Sequence, residues 1–231
     1  LEMKKGLLAL CFMACSALSV TSFAQNKVSD AQRRINAAVM AVYNEELAKN
    51  PYDYALLYSR ANQYFLNGEY LKSLEDINNS IKYMPKSDES TMFEAHVLRA
   101  KIYVIRKENA AAIMDLKIAN TIKPTDQHTL LLLGNMCVES GDLESARTAY
   151  KTLQRMNSLD YNALAGLAKV AVKEGNYDEA ATYANRAVDL FPAEPRVYLN
   201  RSDVLVMMND YKGAAQDIIS AISVSNDISG A

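Results

Sequence analysis

A chain of 231 residues, half of them hydrophobic and 23% charged, has the composition of a folded globular protein, which excludes disorder and a membrane-embedded bundle. The formal net charge is −2, and no basic run follows the first few residues, so nothing steers the chain to nucleic acid or an anionic membrane. Eight Gly and five Pro are few for this length, which favours helices over turn-rich sheet.

Leu1 and Glu2 precede the first methionine and are read as a cloning remnant or an odd start site. From Met3 the order is a basic pair (Lys4, Lys5), an apolar stretch over Gly6–Ala17, and the small-residue motif Ser22-Phe23-Ala24. That order predicts a signal peptide over 1–24, cut after Ala24, and a periplasmic protein. The alternative is lipidation at Cys15, after Ala14, which makes the chain an outer-membrane lipoprotein. Ser16–Phe23 stays apolar, which favours the peptidase site. With the leader removed only Cys137 remains, so no internal disulfide can form.

The segment 25–52 is expected to hold an N-terminal packing helix over Val28–Lys49. Ala31, Ile35, Ala38, Val39, Val42, Tyr43 and Leu47 give it an apolar stripe at helical spacing.

From there the chain repeats. Pro51, Pro85, Pro124, Ser158 and Pro192 are separated by 34, 39, 34 and 34 residues, the long interval holding five extra polar residues, Lys86–Ser90. The units run over 54–87, 93–126, 127–160, 161–194 and 195–226, with 227–231 as a tail. The eighth position of each reads Ala61, Ala100, Gly134, Ala168, Ser202; the twentieth, Ser73, Ala112, Ala146, Ala180, Ala214. The twenty-seventh reads Ser80, Ala119, Leu153, Ala187, Ala221. Small side chains there let two helices cross closely. Between the two helices stand Gly68, Lys107, Gly141, Gly175 and Asn209, where Gly and Asn suit the left-handed conformation that ends a helix. Asp53, Asp126, Asp160 and Glu194 sit where N-caps of the first helices belong, and Thr91-Met92-Phe93-Glu94 reads as a capping box opening the second unit. Arg at the seventh position and Asp at the twenty-third appear together (Arg60/Asp76, Arg99/Asp115, Arg201/Asp217) and vanish together (Leu133/Ala149, Leu167/Tyr183). Each Arg–Asp pair is expected to bridge the two helices of its unit.

The segments Tyr58–Tyr70 and Ala163–Pro192, and five units in one phase over about 54–226, resemble the tetratricopeptide-repeat (TPR) family, whose period is 34 residues. Leu153, Cys137 and the missing proline of the third unit depart from its pattern. The resemblance implies an all-α fold, a right-handed α-α superhelix or TPR solenoid of about five helix pairs, with the first helices lining a concave groove.

In that groove the expected partner-binding residues are Tyr58, Asn62, Phe65, Val97, Lys101, Leu131, Asn135, Lys169, Leu199 and Asp203: an apolar floor with a polar ladder. The carboxylate clamp of some family members is not carried over. Asn62 matches one of its places, but Tyr58, Glu94, Leu98 and Leu132 do not. A helix or extended apolar peptide suits such a groove.

No catalytic residue, metal site or cofactor is expected. His96 and His128 lack a second ligand at metal spacing, Cys137 fills a small-hydrophobe slot, and no phosphate loop or nucleophile motif occurs. The reading is a non-catalytic scaffold for a protein or peptide. The alternative is a self-associating subunit, a homodimer joined through its last helix. Ile218, Ile219, Ile222 and Val224 make that helix apolar, and no polar capping helix follows.

Overall fold

The computed structural model describes residues 30–229, so the leader expected over 1–24, with Cys15, lies outside the described residues. The described residues form eleven helices and no strand. The first, α1 (Asp30–Lys49), crosses a division of the chain after Val42, and the repeats belong to the second unit, Tyr43–Ala231. Five helix pairs follow: α2 (Tyr54–Leu66) with α3 (Tyr70–Tyr83), α4 (Glu89–Ile105) with α5 (Asn109–Ile122), α6 (Gln127–Ser140) with α7 (Leu143–Met156). The last two are α8 (Tyr161–Lys173) with α9 (Tyr177–Leu190), and α10 (Pro195–Met207) with α11 (Tyr211–Ser229). Each pair packs on itself and on the next, the expected all-α superhelical stack.

Every one of the fifteen positions expected to hold a close helix crossing is buried, Leu153 included. The turns behave as their residues dictate. Gly68, Gly141 and Gly175 have φ of 78°, 82° and 77°, and Lys107 and Asn209 adopt φ of 61° and 63° in the same place. Asp53, Asp126, Asp160 and Glu194 each accept a backbone N–H at the start of their helices.

The second pair starts differently from the expected capping box. Asp88 caps α4 by accepting the Thr91 N–H, and the helix begins at Glu89, so Thr91 already lies inside it. Glu94, freed from capping, accepts the Tyr58 hydroxyl at 3.0 Å instead. An aspartate outcompetes a threonine here because its charge also meets the positive helix end. At the other end α11 runs to Ser229, three residues past the expected end of the fifth unit.

The Arg–Asp pairs do bridge their helices, through two parallel hydrogen bonds each. Arg60 reaches Asp76 at 2.7 and 2.8 Å, Arg99 reaches Asp115 at 2.8 and 2.7 Å, and Arg201 reaches Asp217 at 2.7 Å twice. All three aspartates are buried. The third guanidinium nitrogen goes to an asparagine on the preceding helix: Asn44, Asn78 or Asn185. Each Arg therefore ties its own pair together and clips it to the helix before.

Candidate partner-binding surface

The first helices of successive pairs lie side by side, α2 on α4, α6 on α8 and α8 on α10, and make an inner wall. On α8 the fifth, ninth, twelfth and thirteenth positions of the unit, Ala165, Lys169, Val172 and Lys173, lie on it. Towards the C-terminal end this wall holds a cleft of about 210 Å³ between α6, α8 and α10. Val138, Ala165, Val172 and Val204 give it an apolar floor, and Lys169, Asp203, Glu139, Lys173 and Asn200 stand around it. Asp203 keeps an open surface, yet the cleft walls crowd it. Their desolvation pushes its carboxyl above the ordinary value, against the pull of Lys169.

The ten residues expected to bind a partner divide accordingly. Lys169 and Asp203 come together in the cleft. Leu199 is half-buried and Asn62 exposed on the same face of the chain's first helices. Lys101 is half-buried. Four others are partly committed to the fold. Tyr58 donates to Glu94, and burial together with the Glu94 charge pushes its phenol up to about 12. Phe65 stacks edge-on against Tyr70 at 5.7 Å, and Leu131 packs against the core. Asn135 accepts the Tyr150 hydroxyl at 2.8 Å. Val97 offers almost no surface, since it is buried in a cluster with Phe93 and Ala119.

Sequence reasoning placed Ala165 and Val172 on this wall, at the fifth and twelfth positions, but missed Asn200. It also missed Tyr150, whose ring is fully buried where α6, α7 and α8 meet. The signal was Gly166, a glycine in the middle of a helix, where a Cβ would stand 2.3 Å from that ring.

His96 and Cys137 both lie in the core. His96 is buried, and its Nδ1 lies 2.8 Å from Asp115 Oδ1, so the carboxylate holds Arg99 and His96 at once. Cys137 is fully buried, and burial pushes its thiol up to about 11, the opposite of a nucleophile's shift. Among the described residues no group of three His, Cys, Asp or Glu could hold a metal, and no helix is long and apolar enough to cross a membrane.

Burial pushes the Asp115 carboxyl up, but hydrogen bonds from Arg99 and His96 outweigh it and leave it below the ordinary value. A carboxyl lowered by folding contributes stability that is complete above the unfolded value, about 3.9, and is lost as pH falls through the lower folded value. Urea unfolding from about pH 5 down to about pH 3 will therefore show a steep loss of stability in wild type and a flatter one in Asp115→Asn.

The model of the family described as "Tetratricopeptide repeat" matches residues 131–195 and 166–222. Over those residues the chain carries the tetratricopeptide repeat. A crystal structure of a TPR protein from Parabacteroides merdae superposes with a TM-score of 0.69 at 20% identity, covering 96% of this chain and 80% of that one. The TPR protein YrrB matches with a TM-score of 0.62 at 17% identity over 80% and 93% of the two chains. MamA from Desulfovibrio magneticus gives 0.63 at 15% identity over 76% and 97%. Likenesses this distant in sequence speak to the fold. Anaphase-promoting complex subunit 3 of Schizosaccharomyces pombe is 25% identical over 121 residues, 52% of this chain, and the chain spans 18% of that protein's length. The TPR fold is consistent with a scaffold for protein–protein contacts.

Proposed function

We propose that this TPR protein is an exported, periplasmic, non-catalytic adaptor that holds a partner polypeptide against its inner wall. The observation that carries the reading is the cleft between α6, α8 and α10. Its apolar floor is flanked by Lys169 on one helix and Asp203 on the next. An apolar floor gives a peptide area to bury, and opposed charges fix its direction. YrrB, a neighbour in fold, is described as a TPR protein with an unusual peptide-binding site, which agrees with such a use. The export step rests on the basic pair, apolar stretch and cleavage motif of residues 3–24.

The test is photo-crosslinking in the cell envelope, comparing wild type with Val172→Glu and Lys169→Glu. A partner crosslinked by wild type is expected to fall about tenfold or more in both variants, the loss of roughly one well-buried contact. Lys169 is exposed, so its variant will melt close to wild type and controls for any packing lost where Val172 meets the core cluster of Ala168 and Val204. Undiminished crosslinking would move the site off the inner wall.

A second reading has its own observation. Ile219 and Ile222 on α11 are 59% and 53% exposed, which suits a self-associating subunit. Light scattering on the mature protein separates the two, since a strict monomer at high concentration removes the second. Intact mass of the envelope form reads out the lipoprotein alternative at Cys15.

A further inference from the structure

Ile219 stands where the other pairs are polar. The twenty-fifth position reads Asn78, Lys117, Lys151 and Asn185 in the first four pairs, and all four are exposed. Two of them accept the Arg of the next pair, so this position borders the junction between pairs. In α11 it is an isoleucine, 59% exposed. The twenty-eighth position lies one turn further along the same side. Ile81, Asn120, Gln154 and Val188 hold it elsewhere and none of them is exposed, whereas Ile222 is 53% exposed. At the twenty-fourth position Ile77, Leu116, Tyr150 and Ala184 are buried, and Ile218 is only half-buried. Ala215, Ile218, Ile219 and Ile222 thus form an open stripe at the i, i+3, i+4, i+7 spacing of one helix face.

A further repeat does not account for this stripe. In the four pairs that have a successor the twenty-fifth position stays exposed and polar, so a following first helix would leave Ile219 in water. The charges say what does fit. From Gly213 to Asn226 the one ionisable side chain is Asp217, which is buried and bonded to Arg201. Over the corresponding span each other second helix shows water a charge, such as Lys82, Lys117, Lys151 or Arg186. A face without free charge gives a charged partner nothing to pair with, and burying it strands no ion. A two-fold axis sets each group against its like, which a charged face resists and this one does not. The other open apolar helix, α1, shows Ile35 and Val42, but it also exposes Arg34, Glu45 and Glu46. A head-to-tail contact of α11 on α1 would strip water from those charges.

We propose that this stripe packs against the same stripe of a second copy, across a two-fold axis beside Ile219, and closes the protein into a dimer. The proposal rests on self-association through α11 and adds the mate, the symmetry and the residue at the axis. A face that pairs with itself is used up in both copies, so assembly stops at two, whereas a head-to-tail contact leaves free ends and grows. The cleft between α6, α8 and α10 takes no residue from α11, so each copy keeps its own and the dimer offers a partner two walls.

The test measures mass by light scattering against concentration, and covalent capture at the axis. Wild type should level off at twice the chain mass. Ile219→Asp should raise the dissociation constant on the order of 100-fold, tenfold for each copy of the contact, with helix content by circular dichroism unchanged. Val172→Glu on the inner wall should leave the dimer as it is. Ile219→Cys, treated with oxidised glutathione, should form a disulfide-linked dimer, since a bridge needs the two Cβ atoms about 4 Å apart. Cys137 is fully buried and does not compete, and Lys151→Cys, at the matching exposed position of α7, should not link. A strict monomer at high concentration overturns self-association and the dimer together. A dimer that Ile219→Asp leaves intact, a mass that climbs past two chains, or linking by Lys151→Cys as fast as by Ile219→Cys overturns the two-fold contact alone.

Discussion

Arg201→Leu is expected to destabilise the protein by about 3–5 kcal/mol, the cost of leaving one member of a buried ion pair without the other. Asp217 is 3% exposed and its two hydrogen bonds both come from Arg201. Removing the guanidinium strands a carboxylate that must either stay charged in a dry site or take up a proton. It also cuts the link to Asn185 on α9, so the last pair loses its clip to the one before. For a chain of this size the melting temperature will fall on the order of 10 °C. Amide exchange will accelerate in α10 and α11 first. The double variant Arg201→Leu/Asp217→Ala should recover most of the loss, because it removes the stranded charge. It also recreates the Leu133/Ala149 combination of the third pair. A double variant as unstable as the single one would mean that the lost clip, not the stranded charge, sets the cost.

Gly166→Ala should destabilise too, and here the sign is the test. Alanine in place of glycine within a helix ordinarily stabilises by about 1 kcal/mol. In α8 the added Cβ would stand 2.3 Å from Cε1 and 2.4 Å from Cδ1 of Tyr150. The ring cannot retreat. Gly134 of α6 lies against its other side, where a Cβ would stand 2.7 Å away, and its hydroxyl is held by Asn135. The variant should therefore lose about 1–3 kcal/mol through overpacking. Tyr150→Leu should relieve it, since Leu116 occupies the same position of the second pair, so Gly166→Ala should cost less in the Tyr150→Leu background than alone. Additive losses in urea unfolding would show that the ring is not what the new methyl meets.

Both variants show how far the repeat pattern reaches. Small residues at three fixed positions, glycine or asparagine at most turns, and aspartate ahead of most first helices were enough to place ten helices. Each of those features acts within one helix or between sequence neighbours. The pairing of Arg with Asp was legible for the same reason, as two positions that change together from unit to unit. Its third member follows a count that runs across the unit boundary: Asn78 and Asn185 stand at the twenty-fifth position of the preceding unit, and Asn44 stands on α1 one period before Asn78. The second pair's start escaped because Asp88 and Thr91 are both acceptable caps, and only their competition for one helix end decides.

The candidate site was less legible. Position numbers in a repeat mark which face a side chain belongs to, and on that basis Lys169 and Asp203 were placed on one wall. They do not say which of those side chains a neighbour has already engaged. Glu94 takes up Tyr58, Tyr150 takes up Asn135, and Val97 turns out buried. Those outcomes depend on side chains from other helices, 36 residues apart in the first case.

The sequence by itself therefore determined the stack: helix pairs in register, their turns, their caps and the charge pairs that clip them. Those rest on local backbone preference and on volumes repeated every 34 residues. Only the tertiary structure decided where the stack is open. A cleft is space that side chains from three helices fail to fill, as Leu133 and Ala149 fail between α5 and α7, and no single helix carries that information.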